Sequence, residues 1–146
     1  MLIGKYKYSI DSKNRLCIPH KFRENLGTRC VFSKDLTYKC LNLYSMEQWE
    51  KYCEKIERLP TIEMEEIRML VYSNSDEAEI DSQGRIILNK QLCEDIGLTD
   101  VKEAMIVGIF TRAQIWNISE WEIFGEELNA GNKRKAVKDE LRKIGF

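Results

Sequence analysis

The sequence predicts an α+β fold made of two pseudo-symmetric halves. An eight-residue block occurs twice: Asp11-Ser12-Lys13-Asn14-Arg15-Leu16-Cys17-Ile18 returns seventy positions later as Asp81-Ser82-Gln83-Gly84-Arg85-Ile86-Ile87-Leu88. The likeness continues downstream, where Leu26-Gly27 matches Ile96-Gly97, and Leu43 and Trp49 match Ile115 and Trp121 after a two-residue slip. Each copy also runs from alternating, strand-like residues into segments with helical spacing. The chain therefore divides into two repeats, 1–74 and 75–146.

From Lys5 to Ile10, Tyr6, Tyr8 and Ile10 share one face of a strand, and Lys5, Lys7 and Ser9 the other. Asp11 to Asn14 is a turn. Asp accepts backbone N–H bonds there, and Asn tolerates positive φ. Gly84 occupies the matching place in the second copy, where positive φ is free. Arg15 to Ile18 is the return strand of a hairpin. Pro19 to Asn25 is a short helix stopped by Leu26-Gly27, and Lys90 to Ile96 repeats it before Gly97. Arg29 to Ser33 and Tyr38 to Tyr44 read as strands, with Ala104 to Phe110 and Gln114 to Trp116 as counterparts. Ser45-x-x-Gln48 and Ser119-x-x-Glu122 read as capping boxes. Met46, Trp49, Cys53 and Ile56 follow at helical spacing until Leu59-Pro60, and Thr61 to Tyr72 forms the next helix. In the second copy Gly131-Asn132 separates two helices, and Val137, Leu141 and Ile144 line one face of the last, which Gly145 ends. Such short helices are not stable alone, so their apolar faces must meet the strands or another subunit.

Composition narrows the function. The 146 residues are 43% hydrophobic and 32% charged, which suits a cytoplasmic domain with a genuine core. No run of eighteen apolar residues occurs, and the first residues lack the apolar stretch of a secretory signal, so no membrane partner is expected. Five cysteines, without a C-x-x-C pair, read as reduced core residues. His20 is the only histidine, so no metal site or other cofactor is expected. No nucleophile–base arrangement, P-loop or dinucleotide fingerprint is present, and an enzyme is not expected. The net charge of −1 hides a segregation: residues 1–39 hold nine Lys or Arg against three acids, and residues 40–103 hold seven against fifteen.

Paired turns with an Arg beside each suit a repetitive anionic partner, of which double-stranded DNA is the commonest. The candidate DNA-contacting residues are Lys13, Asn14 and Arg15, with Lys5, Lys7, Lys21, Arg23 and Arg85. Each Arg has a second reading, as a brace that grips the Asp four residues before it. Basic neighbours favour DNA contact for Arg15. Acidic flanks (Asp76, Glu77, Glu79, Glu94, Asp95) favour the brace for Arg85. Tyr6, Tyr8, Trp49, Trp116 and Trp121 read as core residues.

Asp11-x-Lys13-Asn14-Arg15-x-x-x-Pro19 with Phe22-Arg23 resembles the first signature of the MraZ proteins. Asp81-x-Gln83-Gly84-Arg85-Ile86, then Ile96-Gly97, Gly108 and Ile115-Trp116, resembles the second. The resemblance spans nearly the whole chain. It implies two AbrB-like halves forming swapped-hairpin β-barrels, assembly into rings of several subunits, and a nucleoid-associated regulator. It further implies binding to short direct repeats upstream of a division and cell-wall gene cluster that includes its own gene, usually as a repressor. Two departures stand out: Asn14 replaces a usual Gly, and Asn89 replaces a frequent Pro, which implies a looser entry to the second short helix. Two other functions compete with the repressor: an antitoxin of the same hairpin-barrel class, binding DNA and a toxin, and an oligomeric scaffold that binds no DNA. The regular helical pattern of residues 133–144 disfavours the antitoxin, which needs an extended tail.

Overall fold

The computed structural model describes residues 1–60, 64–99 and 101–146. The first repeat contains β1 (Leu2–Ser9), β2 (Arg15–Cys17), α1 (His20–Leu26), β3 (Arg29–Lys34), β4 (Leu41–Ser45), α2 (Met46–Glu57) and α3 (Glu65–Ser73). The second contains β5 (Ser75–Glu79), β6 (Arg85–Ile87), α4 (Lys90–Asp95), β7 (Glu103–Phe110), β8 (Ala113–Asn117), α5 (Ile118–Asn129) and α6 (Gly131–Lys143). The fold is α+β, and every strand pairing among the described residues is antiparallel.

The two repeats exchange strands. A six-stranded sheet runs β1-β7-β8-β4-β3-β5, and a separate ribbon pairs β2 with β6. The first strand of each repeat thus lies beside the third strand of the other, β1 on β7 and β5 on β3. The register reveals a pseudo-twofold axis. In the ribbon Arg15 faces Ile87, Leu16 faces Ile86 and Cys17 faces Arg85, so equivalent residues meet at Leu16 and Ile86. In the sheet Leu41 faces Ile115 and Asn42 faces Gln114, so they meet again at Asn42 and Gln114.

The core fills the space between ribbon and sheet. Leu16, Ile18, Ile86 and Leu88 join Phe32, Leu41, Leu43, Ile106 and Ile115 in one buried cluster, into which α1 sends Phe22 and Leu26 and α4 sends Leu92 and Ile96. Tyr6 and Tyr8 pack on this cluster, and the Tyr6 ring meets Phe22 edge-on at 5.5 Å. Trp116 is buried and, with Trp121 and Phe124, seats α5 on β8. Trp49 and Tyr52 of α2 meet Tyr44 of β4 in the same way. The five cysteines are free thiols, and Cys30, Cys40 and Cys93 are buried.

Several local expectations need correction. Arg15 to Cys17 does not pair along the strand before it; a single bridge joins Ile10 to Leu16, and the ladder runs to the other repeat. Tyr38 to Cys40 is not strand. The Asp35 carboxylate accepts the backbone N–H groups of Thr37 (2.9 Å) and Tyr38 (2.7 Å) and turns the chain before β4 begins. Ser45 caps α2 as expected, accepting the Gln48 N–H at 3.2 Å. Ser119 does not cap α5, because Asn117 stands two residues earlier and accepts the Ser119 N–H at 2.8 Å. The break between α5 and α6 falls at Ala130, whose backbone is extended. α3 begins at Glu65; Thr61, where the sequence places its start, lies outside the described residues. The entry to α4 is not loosened by Asn89, which accepts the Leu92 N–H at 3.0 Å and caps the helix.

Candidate nucleic-acid interface

The two Asp–Arg turns have the same construction. In the first, Asp11 Oδ1 accepts the backbone N–H groups of Lys13 (2.9 Å) and Arg15 (2.8 Å), and Oδ2 accepts Arg15 Nε at 2.7 Å. In the second, Asp81 Oδ1 accepts from Gln83 (2.8 Å) and Arg85 (2.9 Å), and Oδ2 accepts Arg85 Nε at 3.1 Å. Asn14 (φ 59°) and Gly84 (φ 75°) both take the left-handed conformation that closes the turn. The backbone N–H of Arg15 beside its carboxylate, helped by the guanidinium, holds Asp11 below the ordinary aspartate range, and Arg85 does the same to Asp81. Both carboxylates therefore stay charged and both guanidinium groups stay clamped at neutral pH. Only Nε is spent on the brace. Among the described residues, neither Arg15 nor Arg85 hydrogen-bonds the protein through its Nη atoms.

The β2–β6 ribbon joins these turns into one surface. Strand alternation buries Leu16 and Ile86 and turns Arg15, Cys17, Arg85 and Ile87 outward. Arg15 and Arg85 sit on the diagonal of the ladder, about 7–8 Å apart at Cα. Each turn is stitched to the far strand: the Ile18 N–H reaches Gly84 O at 2.9 Å, and the Leu88 N–H reaches Asn14 O at 2.9 Å. Asn14 also sends Nδ2 to Leu88 O at 2.8 Å. Lys13 is exposed at the first turn, and Lys21 is exposed on α1.

The remaining candidates divide. Arg23 faces inward: its Nε donates to Ile18 O at 2.9 Å, and its guanidinium lies against Gly84, in the space a Cβ would need. Cys93 holds the corresponding position beside the first turn, where a cleft of about 770 Å³ opens instead. Lys5 and Lys7 are exposed on β1, and Lys7 lies 4.0 Å from Glu103.

Strand exchange also rearranges the segregated charge. Arg29 pairs with Glu77 (2.9 Å), Lys34 with Asp95 (3.4 Å) and Lys39 with Glu120 (3.4 Å), each time across the repeats. Exposed pairs like these add little stability. Their effect here is on the surface field: part of the acidic flank of the second repeat is matched by cations of the first. Sequence reasoning missed Ile87, which is 67% exposed on the ribbon's outer face. Strict alternation through Ile86-Ile87-Leu88 would have flagged it. No group of three or more His, Cys, Asp or Glu side chains among the described residues is placed to hold a metal ion. No helix among them is long and apolar enough to cross a membrane.

A protein-family model described as "MraZ protein, putative antitoxin-like" matches the chain twice, over residues 1–72 and 71–143. The chain is 36% identical over 141 residues to the transcriptional regulator MraZ of Acetivibrio thermocellus, covering 94% of this chain and 96% of that protein. It is 39% identical over 133 residues to that of Caldicellulosiruptor bescii, covering 88% and 91%. It is 36% identical over 149 aligned positions to that of Clostridium tetani, covering both proteins in full.

Proposed function

This chain belongs to the MraZ family, and from that membership we propose that it is a transcription regulator that binds double-stranded DNA through the β2–β6 ribbon and represses the genes downstream. The observation that carries this reading is the pair of clamped arginines. Each guanidinium is fixed by its Asp yet keeps its Nη donors free, so little side-chain entropy is lost when it meets a base edge or a phosphate. The ribbon also has the right size. Two strands about 4.8 Å apart enter a major groove about 12 Å wide, and the diagonal arginines span about two base-pair steps. Lys13 and Lys21 supply phosphate contacts that set position, while Arg15 and Arg85 read guanine. Arg23 contributes indirectly, by holding the second turn.

The strand pairing suits two repeats, 1–74 and 75–146, that form AbrB-like swapped-hairpin barrels. Assembly into a ring accounts for apolar side chains that one chain leaves uncovered: Val137 and Leu141 on α6, Ile144 at its C-cap, and Met69 and Leu70 on α3. A ring would present many ribbons to short direct repeats on one DNA face, and avidity would replace the few contacts of a single subunit. Such a regulator works in the cytoplasm, on the nucleoid. Footprinting the purified protein on DNA upstream of its own gene tests the reading. Protection of evenly spaced boxes is expected, and uniform or absent protection would refute it.

A further inference from the structure

Ile87 lies outside the buried core cluster. It lies between Ile86 and Leu88, each 1% exposed in the core, yet it is itself 67% exposed. A single exposed aliphatic side chain is ordinary on a protein surface; what distinguishes Ile87 is its place on the ribbon's outer face beside the two arginines, with Asp76, Glu77 and Glu79 on its other side. Its place in the ladder is directly opposite Arg15, on the same outward face. The pseudo-twofold counterpart of Ile87 is Cys17, which faces Arg85 and is only partly exposed. The ribbon therefore carries two unlike pairs, Arg15 with Ile87 at one end and Arg85 with Cys17 at the other.

We propose that Ile87 is a specificity residue that contacts the C5-methyl group of a thymine next to the base read by Arg15. The inference rests on the DNA-binding reading above. Thymine's methyl is the one apolar feature that a major-groove edge presents, and an exposed aliphatic side chain on the outer face of a groove-reading ribbon, beside Arg15, matches it. The smaller Cys17 presents less apolar surface at the opposite end. The pseudo-symmetric ribbon thus reads an asymmetric box, in which a thymine methyl matters at one end only.

The test pairs a side-chain change with a single methyl on the DNA. Each thymine of a footprinted box is replaced in turn by deoxyuridine, and binding is measured for the wild-type chain, Ile87→Ala and Ile87→Val. At one position, wild-type affinity should fall roughly fourfold, since a buried methyl is worth about 0.8 kcal/mol and 1.4 kcal/mol is tenfold. Ile87→Ala should bind the thymine box more weakly and lose the response to deoxyuridine, and Ile87→Val should keep part of both. Circular dichroism confirms that the variants fold. If wild type binds its box in an Arg15-dependent way but ignores every methyl, or if Ile87→Ala responds as wild type does, the proposal falls while the DNA reading stands. If wild type binds no DNA specifically, both fall together.

Discussion

The chemistry of the site rests on single residues whose geometry is duplicated. Each turn has an Asp that holds two backbone N–H groups and one guanidinium, so Arg15 and Arg85 are held in the same way. Charge along the sequence favours only Arg15; the folded chain weakens that distinction by pairing Arg29 and Lys34 with acids of the second repeat. Arg15→Ala and Arg85→Ala should each weaken specific DNA binding by about 1–3 kcal/mol. Lys13→Ala should cost affinity nearly uniformly across sequences and lower the salt dependence. Affinity titrations on matched and mismatched boxes distinguish the two behaviours. The clamps also have a pH signature. Asp11 and Asp81 have folded-state pKa values below the ordinary one, so their contribution to stability is complete above the ordinary value. It is lost as pH falls through the lower folded-state values. Carboxyl titration by NMR should find both groups below a model aspartate, and ordinary values would mean that the clamps do not persist in solution.

At the level of the element, the sequence was informative wherever a residue type is forced by its backbone. Asn14 and Gly84 were identifiable as one turn position because few other residues accept positive φ. The Gly84 position is doubly constrained, since Arg23 fills the space above it. Gly84→Ala should cost about 1–2 kcal/mol for the backbone alone, and more because Arg23 must move. Asn14→Gly should lose only the Nδ2 bond to Leu88 O, roughly 0.5–1.5 kcal/mol. Thermal unfolding of both variants checks this order, and equal losses would contradict it. Gly108 is a second tight place, where a Cβ would lie 2.5 Å from Ile3 N on β1. Capping was legible at Ser45 but not at α5, because Asn117 and Ser119 are both good caps and the upstream one acts first. Tyr38 alternates as a strand residue should, yet Asp35 captures its N–H and diverts the chain.

For the whole molecule, the repeat announced two equivalent halves but could not say which strand pairs with which. Alternation marks a strand's buried face and leaves its neighbour open, and a hairpin was the simplest local answer. The exchanged pairing, β1 on β7 and β5 on β3, depends on contacts between residues about a hundred or fifty positions apart, for which no local signal exists. The same exchange brings Arg15 and Arg85 onto one ribbon, so the candidate residues were legible in the sequence but the surface they share was not. At this scale α6 buries no residue of its own and leaves Val137, Leu141 and Ile144 in solvent. Removing it after Asn129 should leave the melting temperature nearly unchanged yet dissolve the proposed ring, with wild type an oligomer and the truncated chain a smaller species by light scattering. Binding to phased boxes should weaken with it, because avidity is lost. A truncated chain that keeps the wild-type number of subunits would place the proposed contact elsewhere, and a monomeric wild type would remove the ring. The ribbon's role is decided by titrating the wild-type chain and the double variant Arg15→Ala with Arg85→Ala against the footprinted DNA. Wild-type affinity should fall steeply with salt, and the double variant should lose box preference while keeping its circular dichroism and its assembly. A folded, assembled double variant that binds its boxes as tightly as wild type would show that DNA is held by some other surface.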